Sequence, residues 1–404
     1  MSDSSPTTAE LDNTQLQQAK DTAAWLIEEA KRQGADAAEV GVSLSQGYSV
    51  NVRQGEVETV EFHRDRGVSV TVYKGQRKGH ASSSDDNRDS LRATLAAATA
   101  IAGYTEEDRY AGLAPAADLA REVTDLDLYH PWAMDTQSAI EQALRCETVA
   151  RDHARIVNSE GASVNSGASL RVYATSEGFL HGYRGTHHSR VCSVVAEDEA
   201  GMQRDYWYDG GRVGDRLASA EAVGEQARER ALARLGAEVP ETGELPVIFA
   251  PEVASGLLGH LVSAISGGAL YRRSSFLQDC LGKAVLPAGF QLTENPHLAA
   301  GNASAPFDGD GLPTRAQAFV EDGVLKQYAL GLYASRRLEM APTGNGGGVR
   351  NVRITDTGDS LAELMAKVPK GILITEVMGQ GINLVTGDYS RGASGFWFEN
   401  GVIQ

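Results

Sequence analysis

From Val40 to Ser82 the pattern is one of alternation, with Tyr48, Val50 and Val52, and then Val68, Val70 and Val72, at every second position, and with Val57 and Val60 between the two rows. A period of two lines up such side chains on one face of a pleated strand, whereas one face of a helix needs a period near 3.6. Gly55, Gly67 and Gly75 punctuate the run, so the spacing predicts an antiparallel meander turning at those glycines. The period changes on both sides. Leu16, Ala19, Ala23, Leu26, Ile27 and Ala30 stand at helical spacing within residues 14–33, before Gly34. Leu91, Leu95, Ala98 and Ile101 do the same within 86–102, before Gly103.

Further along, 104–132 carries Pro115, Pro131 and many charges and reads as a long surface connection, followed by a helix from about Asp135 to His153. Segments 168–175, 178–183, 189–197 and 202–208 alternate as strands, and a helix over 218–235 stops before Gly236. Pro240, Gly243 and Pro246 then break both helix and strand ladders. A chain of 404 residues exceeds the size at which one core usually stops growing. These features predict two domains, 1–240 and 241–404. The second opens with the strand PVIFA, continues into a helix near 252–266, and is strand-rich through 319–330 and 371–377. The fold class expected is α+β, an N-terminal antiparallel sheet with helices followed by a strand-rich domain.

Charge narrows the partners. Lys and Arg number 37 against 54 Asp and Glu, a formal net of −17, which opposes binding to nucleic acid or to an anionic membrane. No stretch of 18 apolar residues occurs, and the start MSDSSPTTAELDNTQ has neither the basic end nor the apolar centre of a signal peptide, so a cytoplasmic protein is expected. Cys146, Cys192 and Cys280 form no CxxC pair and read as reduced, buried structural thiols.

The segment GLLGHLVSAISGGALYRRSSF holds one histidine on a helix. A zinc peptidase built on a helix needs two histidines about a turn apart and a carboxylate base. The longer string PVIFAPEVASGLLGHLVSAISGGALYRRSSFL, together with SAPFDGDGL, TGDYSRGASGFWFENG, VRQGEVETVEF and TDLDLYHP, is very similar to the TldE (PmbA) family, from about Ala37 to the last residue. In the metal-bearing TldD partners the corresponding helix resembles HExxxH, with two zinc ligands and a glutamate base. Here His260 is followed by Leu261 in the base position and Ile265 in the second-ligand position. One neutral imidazole is too little for zinc. His260 also lies beside the apolar positions Val253, Leu257 and Leu261, as a residue in packing or in partner contact would.

The resemblance therefore implies a subunit without its own catalytic or metal-binding residues and without its own cofactor. A TldD-type partner would bring the zinc, and the assembly would hydrolyse small or unfolded polypeptides, among them peptide precursors and toxin–antitoxin components. Two other readings stand beside it: a stand-alone hydrolase with no recognisable motif, and a non-catalytic peptide-binding protein. Other candidates are weaker. His181, His187 and His188 have no acidic or cysteine partner at ligand spacing and read as solvated strand or turn histidines, and GASGF around Ser394 lacks the spacing of a nucleophile elbow.

The cluster Gly344-Asn345-Gly346-Gly347-Gly348 lacks the GK[ST] of a phosphate loop. It reads either as a plain surface loop or, given a similar TGNG segment in the metal-bearing partner, as a mobile loop beside a peptide path. With it, Asp388, Tyr389, Arg391 and Trp397 are the expected peptide or partner contacts, the aromatics alternatively being core. The end GFWFENGVIQ reads as strand, Asn400-Gly401 turn and returning strand, and family members continue for a few dozen residues, so the second domain reads as truncated.

Overall fold

The computed structural model describes residues 10–404, and the signal-peptide reading falls largely on residues 1–9, outside them. The chain forms two compact units, one running to Val239 and including Leu298–Ser304, the other comprising Pro240–His297 and Ala305–Gln404.

In the first unit the order is α1 (Asn13–Arg32), β1 (Ala37–Arg53), β2 (Glu56–Lys74), β3 (Arg77–Ser83), α2 (Arg88–Tyr104), α3 (Thr136–Arg151), β4 (Ile156–Thr175), β5 (Leu180–Asp198), β6 (Gly201–Gly211) and α4 (Ala220–Ala233). Each helix starts at a side-chain cap, Asp12, Asn87, Asp135 or Ser219, which accepts an otherwise orphaned backbone N–H. The strands form one antiparallel sheet in the order β3-β2-β1-β4-β5-β6.

One face of β1 carries two cores in succession. Val40, Val42 and Leu44 pack with α1 and α2, while Tyr48, Val50 and Val52 pack with α3 and α4. Between them sit Gln46 and, on the other face, Gly47, where a Cβ would meet Ser166 O at 2.4 Å. The other face of β1 offers Gly41, Ser43, Ser45, Ser49 and Asn51. The β1–β2 turn, Gln54-Gly55, has positive φ at both residues and is anchored by buried Glu147 of α3, whose carboxylate accepts from Gln54 N (2.6 Å) and Gly55 N (2.8 Å).

Three sequence expectations shift. Gly67 lies within β2 opposite Ser43 rather than at a turn, because its lack of Cβ suits a close cross-strand approach. Segments 178–183 and 189–197 belong to the single strand β5, and β4 begins at Ile156 rather than 168. Its early half alternates through Ala162, Val164 and Ser166, residues too small to read as an apolar row.

The second unit holds β7 (Val247–Phe249), α5 (Pro251–Ala264), α6 (Gly267–Tyr271), β8 (Leu292–Glu294), β9 (Gln317–Glu321), β10 (Val324–Leu325), α7 (Leu332–Leu338), β11 (Val352–Ile354), α8 (Leu361–Ala366), β12 (Lys370–Met378), β13 (Ile382–Asn383), β14 (Asp388–Tyr389), β15 (Gly392–Glu399) and β16 (Val402–Ile403). They make sheets β10-β9-β8-β11 and β16-β15-β12-β7 and the pair β13-β14. Its main core gathers Ile265, Leu270, Leu292, Phe319, Val320, Leu325 and Leu330. The architecture is α+β throughout. Among the described residues no helix is long and apolar enough to cross a membrane.

Candidate functional site

Helix α5 begins with Pro251 at its first turn, where a missing N–H costs nothing. It ends where the Ile265 N–H bonds Leu261 O (3.1 Å). Ile265 is 0% exposed and belongs to the core of the unit, so the position of a second ligand is turned inward as a packing residue. Leu261 is half-buried against the same core. His260 is half-buried, with its ring 6.1 Å from that of Tyr389 in β14. Among the described residues no three His, Cys, Asp or Glu side chains converge as a metal would require. The donors present do not fit zinc.

The apolar stripe of α5 is less covered than packing alone would leave it. Ala264 is the helix residue that is fully buried, Val253 is half-buried and Leu257 is 40% exposed.

At the C-terminal end of α5 opens a cavity of about 470 Å³, lined among others by Ser266, Tyr271, Asp310, Tyr333 and the glycine loop. That size falls within the range of small-ligand pockets. Side chains clamp the loop. Arg350 donates to Gly344 O (3.3 Å), Gly346 O (3.0 Å) and Gly348 O (2.8 Å), so one guanidinium holds three carbonyls. Buried Glu294 accepts from Asn345 Nδ2 (2.7 Å), Gln317 Nε2 (2.5 Å) and Arg350 N (2.7 Å). Asn345 is itself buried.

Asp308 completes the clamp. Its carboxylate accepts from Gly346 N (2.8 Å), Asp310 N (2.8 Å) and Leu312 N (2.9 Å). Burial, followed by the charge of Asp310, nonetheless outweighs these donors and pushes its pKa up to about 6. Glycine is required at 346 by this contact, since a Cβ there would lie 2.5 Å from Asp310 Oδ2 and 2.8 Å from Asp308 Oδ2. The Asp310 carboxylate also accepts from Leu332 N (2.8 Å) at the start of α7.

The C-terminal candidates divide. Tyr389 is exposed beside His260, and Asp388 accepts from Thr386 Oγ1 (2.7 Å). Arg391 donates to Met378 O (3.0 Å). Trp397 lies in β15 with Lys370 Nζ 5.4 Å from its ring centroid, and its Nε1–H donates to Glu399 (3.2 Å). The fully buried aromatic of that strand is Phe398. Ser394 lies within strand β15, paired with Glu376 beside a register shift of β12, and not in a strand-to-helix nucleophile elbow.

In the first unit, His188 contradicts the solvated reading. It is 1% exposed, with Nδ1 3.0 Å from Ser166 Oγ and Nε2 2.9 Å from His130 O, and burial pulls its pKa below the ordinary value. His181 is half-buried and His187 exposed. Cys146 and Cys192 are buried, whereas Cys280 is only partly so. The Cys146 thiol, by hydrogen bonding, and burial push the Cys192 thiol far up, which makes it inert.

Glu294, Asp308, Gln317 and Arg350 were not singled out in the sequence. The available signal was Asp308-Gly309-Asp310-Gly311 set against Phe307 and Leu312, two carboxylates inside an apolar and glycine string.

Comparison with known proteins places this arrangement. The PmbA/TldA metallopeptidase models match in order: domain 1 over 38–102, the central domain over 129–235 and the C-terminal domain over 242–404. The metalloprotease PmbA of Escherichia coli O157:H7 is 46% identical over 92% of this chain and 82% of its own length. A metalloprotease TldD homologue of Haemophilus influenzae is more distant, 24% identical over 88% of this chain and 77% of its own. A Bacteroides thetaiotaomicron crystal structure, described as a candidate modulator of DNA gyrase, superposes with a TM-score of 0.91 at 27% identity, covering 98% of this chain and 89% of that one. The crystal structure of TldE from Thermococcus kodakarensis shares the fold, with a TM-score of 0.82 at 19% identity over 95% and 89%. With three family domains in order and 46% identity to a PmbA relative, this chain belongs to the PmbA/TldD metallopeptidase family, as a member of its PmbA (TldE) type.

Proposed function

We propose that this chain is the subunit without zinc of a TldD/TldE-type peptidase assembly in the cytoplasm, where it supplies scaffold and part of the peptide cavity. A TldD-type subunit holds the zinc and hydrolyses small or unfolded polypeptides; nucleic acid and membranes are not partners. The carrying observation is that a chain of a metallopeptidase family presents, on the motif helix, His260 alone, with Leu261 in the base position and Ile265 in the core. Family membership supports the peptidase link, and the cavity beside the clamped glycine loop supports peptide contact. Gly344, Asn345 and Gly346 form the rigid side of that contact, and Asp388, Tyr389, Arg391 and Trp397 contribute to partner or peptide binding.

The test is cleavage of an unfolded peptide by the purified chain alone, by the chain with zinc, and by the chain with a TldD-type partner. Only the pair is expected to cleave, with chelator sensitivity. Cleavage by the chain alone would overturn the reading in favour of a stand-alone hydrolase, and peptide binding without any effect on the partner would favour a simple binding protein.

A further inference from the structure

β3 and β6 are the outer strands of the six-stranded sheet, and each is accompanied by a helix, β3 by α2 and β6 by α4. Leu180–His187 of β5, which β6 does not reach, has the connection before α3 beside it, where Thr186 N bonds Leu128 O (3.0 Å). A further stretch of edge belongs to β2. Because β3 pairs only with Val68–Lys74, the stretch Glu56–Gly67 bonds to β1 on one side and, among the described residues, to no strand on the other. Its length is about 40 Å at strand rise.

This edge is both apolar and firmly held. Val57, Val60 and Phe62 stand opposite Val52, Val50 and Tyr48 of β1 on the helix-packed face, yet they are 44%, 37% and 49% exposed. The grip of Glu147 on Gln54 and Gly55 fixes its end. Exposed edges are commonly blunted by proline, by shortness or by scattered charge. Here there is no proline, and the charge is sorted along the strand: Glu56, Glu58 and Glu61 precede, while His63, Arg64 and Arg66 follow with Asp65 among them. Arg66 also pairs with Asp86.

We propose that Glu56–Gly67 is a self-complementary pairing surface, onto which a second copy of this chain adds its own β2 antiparallel about a two-fold axis at Phe62. Antiparallel pairing sets the acidic half of each copy against the basic half of the other, whereas parallel pairing would stack like on like. An axis through Glu61 would oppose two carboxylates. An axis through Phe62 instead places the two Phe62 side chains together and sets Glu61 opposite His63 of the copy, an isologous contact with main-chain bonds along its length. This interface lies in the first unit and does not depend on the peptidase reading.

The experiment uses the full chain in a Cys280→Ser background, by sedimentation velocity and mild oxidation. The expected result is a dimer whose dissociation constant rises about tenfold or more on Phe62→Asp, which opposes two carboxylates at the axis, with near-UV circular dichroism unchanged. Phe62→Cys should form an interchain disulfide, whereas Thr59→Cys, which the register sets opposite Asp65, should not; this pair keeps the test decisive if Phe62→Asp misfolds. A monomer, a dimer whose Phe62→Cys form does not cross-link, equal cross-linking at both positions, or cross-linking only to a TldD-type subunit would each overturn the proposal.

Discussion

The two units are held together by different chemistry. In the first, four helices cover one sheet face through rows of valine, leucine and alanine, and its core is a matter of apolar area. In the second, short strands and long loops are tied by buried carboxylates that accept several donors each, Glu294 and Asp308 above all. Apolar packing tolerates loss in proportion to volume removed. A polar clamp fails all at once, because each lost acceptor strands donors that cannot reach water.

The largest effect should come from breaking the clamp. Glu294→Ala removes the acceptor of Asn345 Nδ2 and of Arg350 N, at about 1–3 kcal/mol each, while Gln317 Nε2 keeps Thr343 O and Asn345 Oδ1, and it should destabilise the second unit by about 2–6 kcal/mol. Urea unfolding followed at Trp397 should shift, while a signal from Trp132 and Trp207 should not. Leu95→Ala, a truncation of a fully buried side chain in the first unit, should cost about 2–5 kcal/mol and move the opposite signal. If either variant moves both signals equally, the units melt as one block and the contrast fails.

Acidification should then drive the units in opposite directions. The folded pKa of Asp308 is about 6, above the ordinary 3.8, so the native state binds the extra proton. Its contribution is most favourable below 3.8 and is lost as pH rises through 6, by up to about 3 kcal/mol. His188 is shifted down by burial, so the stability it lends is present above the ordinary histidine value of about 6.5 and is lost as pH falls below it. From pH 7 to 5 the second unit should gain and the first lose. Asp308→Asn and His188→Gln should each flatten one slope, and unchanged slopes would remove these residues from the account. The smallest effect belongs to His260→Ala: partly exposed at a site without converging donors, it should change stability by no more than about 0.5 kcal/mol. Metal analysis after dialysis should find no stoichiometric zinc before or after the substitution; one zinc lost with His260 would reveal ligands brought from afar.

The same contrast explains what the residues alone disclosed. Val40 to Val72 announce their strands because each side chain faces either core or solvent, and alternation records that choice. The degenerate metal position was equally plain, since Leu261 and Ile265 cannot act as base or ligand. What holds the glycine loop was not legible, because Arg350 lies just beyond the cluster with nothing in local spacing to show that its guanidinium turns back onto the loop's carbonyls. Asp308 and Glu294 stayed hidden for a related reason: a carboxylate in sequence looks like surface, and only the fold shows that it serves as a knot. His188 sits in a strand whose alternation runs through polar residues, so its burial leaves no apolar row to read.

Two cores threaded on one strand also bear on how such a chain can change its length. Substitutions along β1 can be absorbed locally, but a one-residue insertion at Gln46-Gly47 would leave Val40, Val42 and Leu44 facing the helices while turning Tyr48, Val50 and Val52 to the far side. Even a two-residue insertion, which restores the face, slides one core past its helices by about 7 Å. The middle of this sheet, though built of small residues, is therefore where the molecule should tolerate insertions and deletions least, and length variation belongs at its hairpin ends.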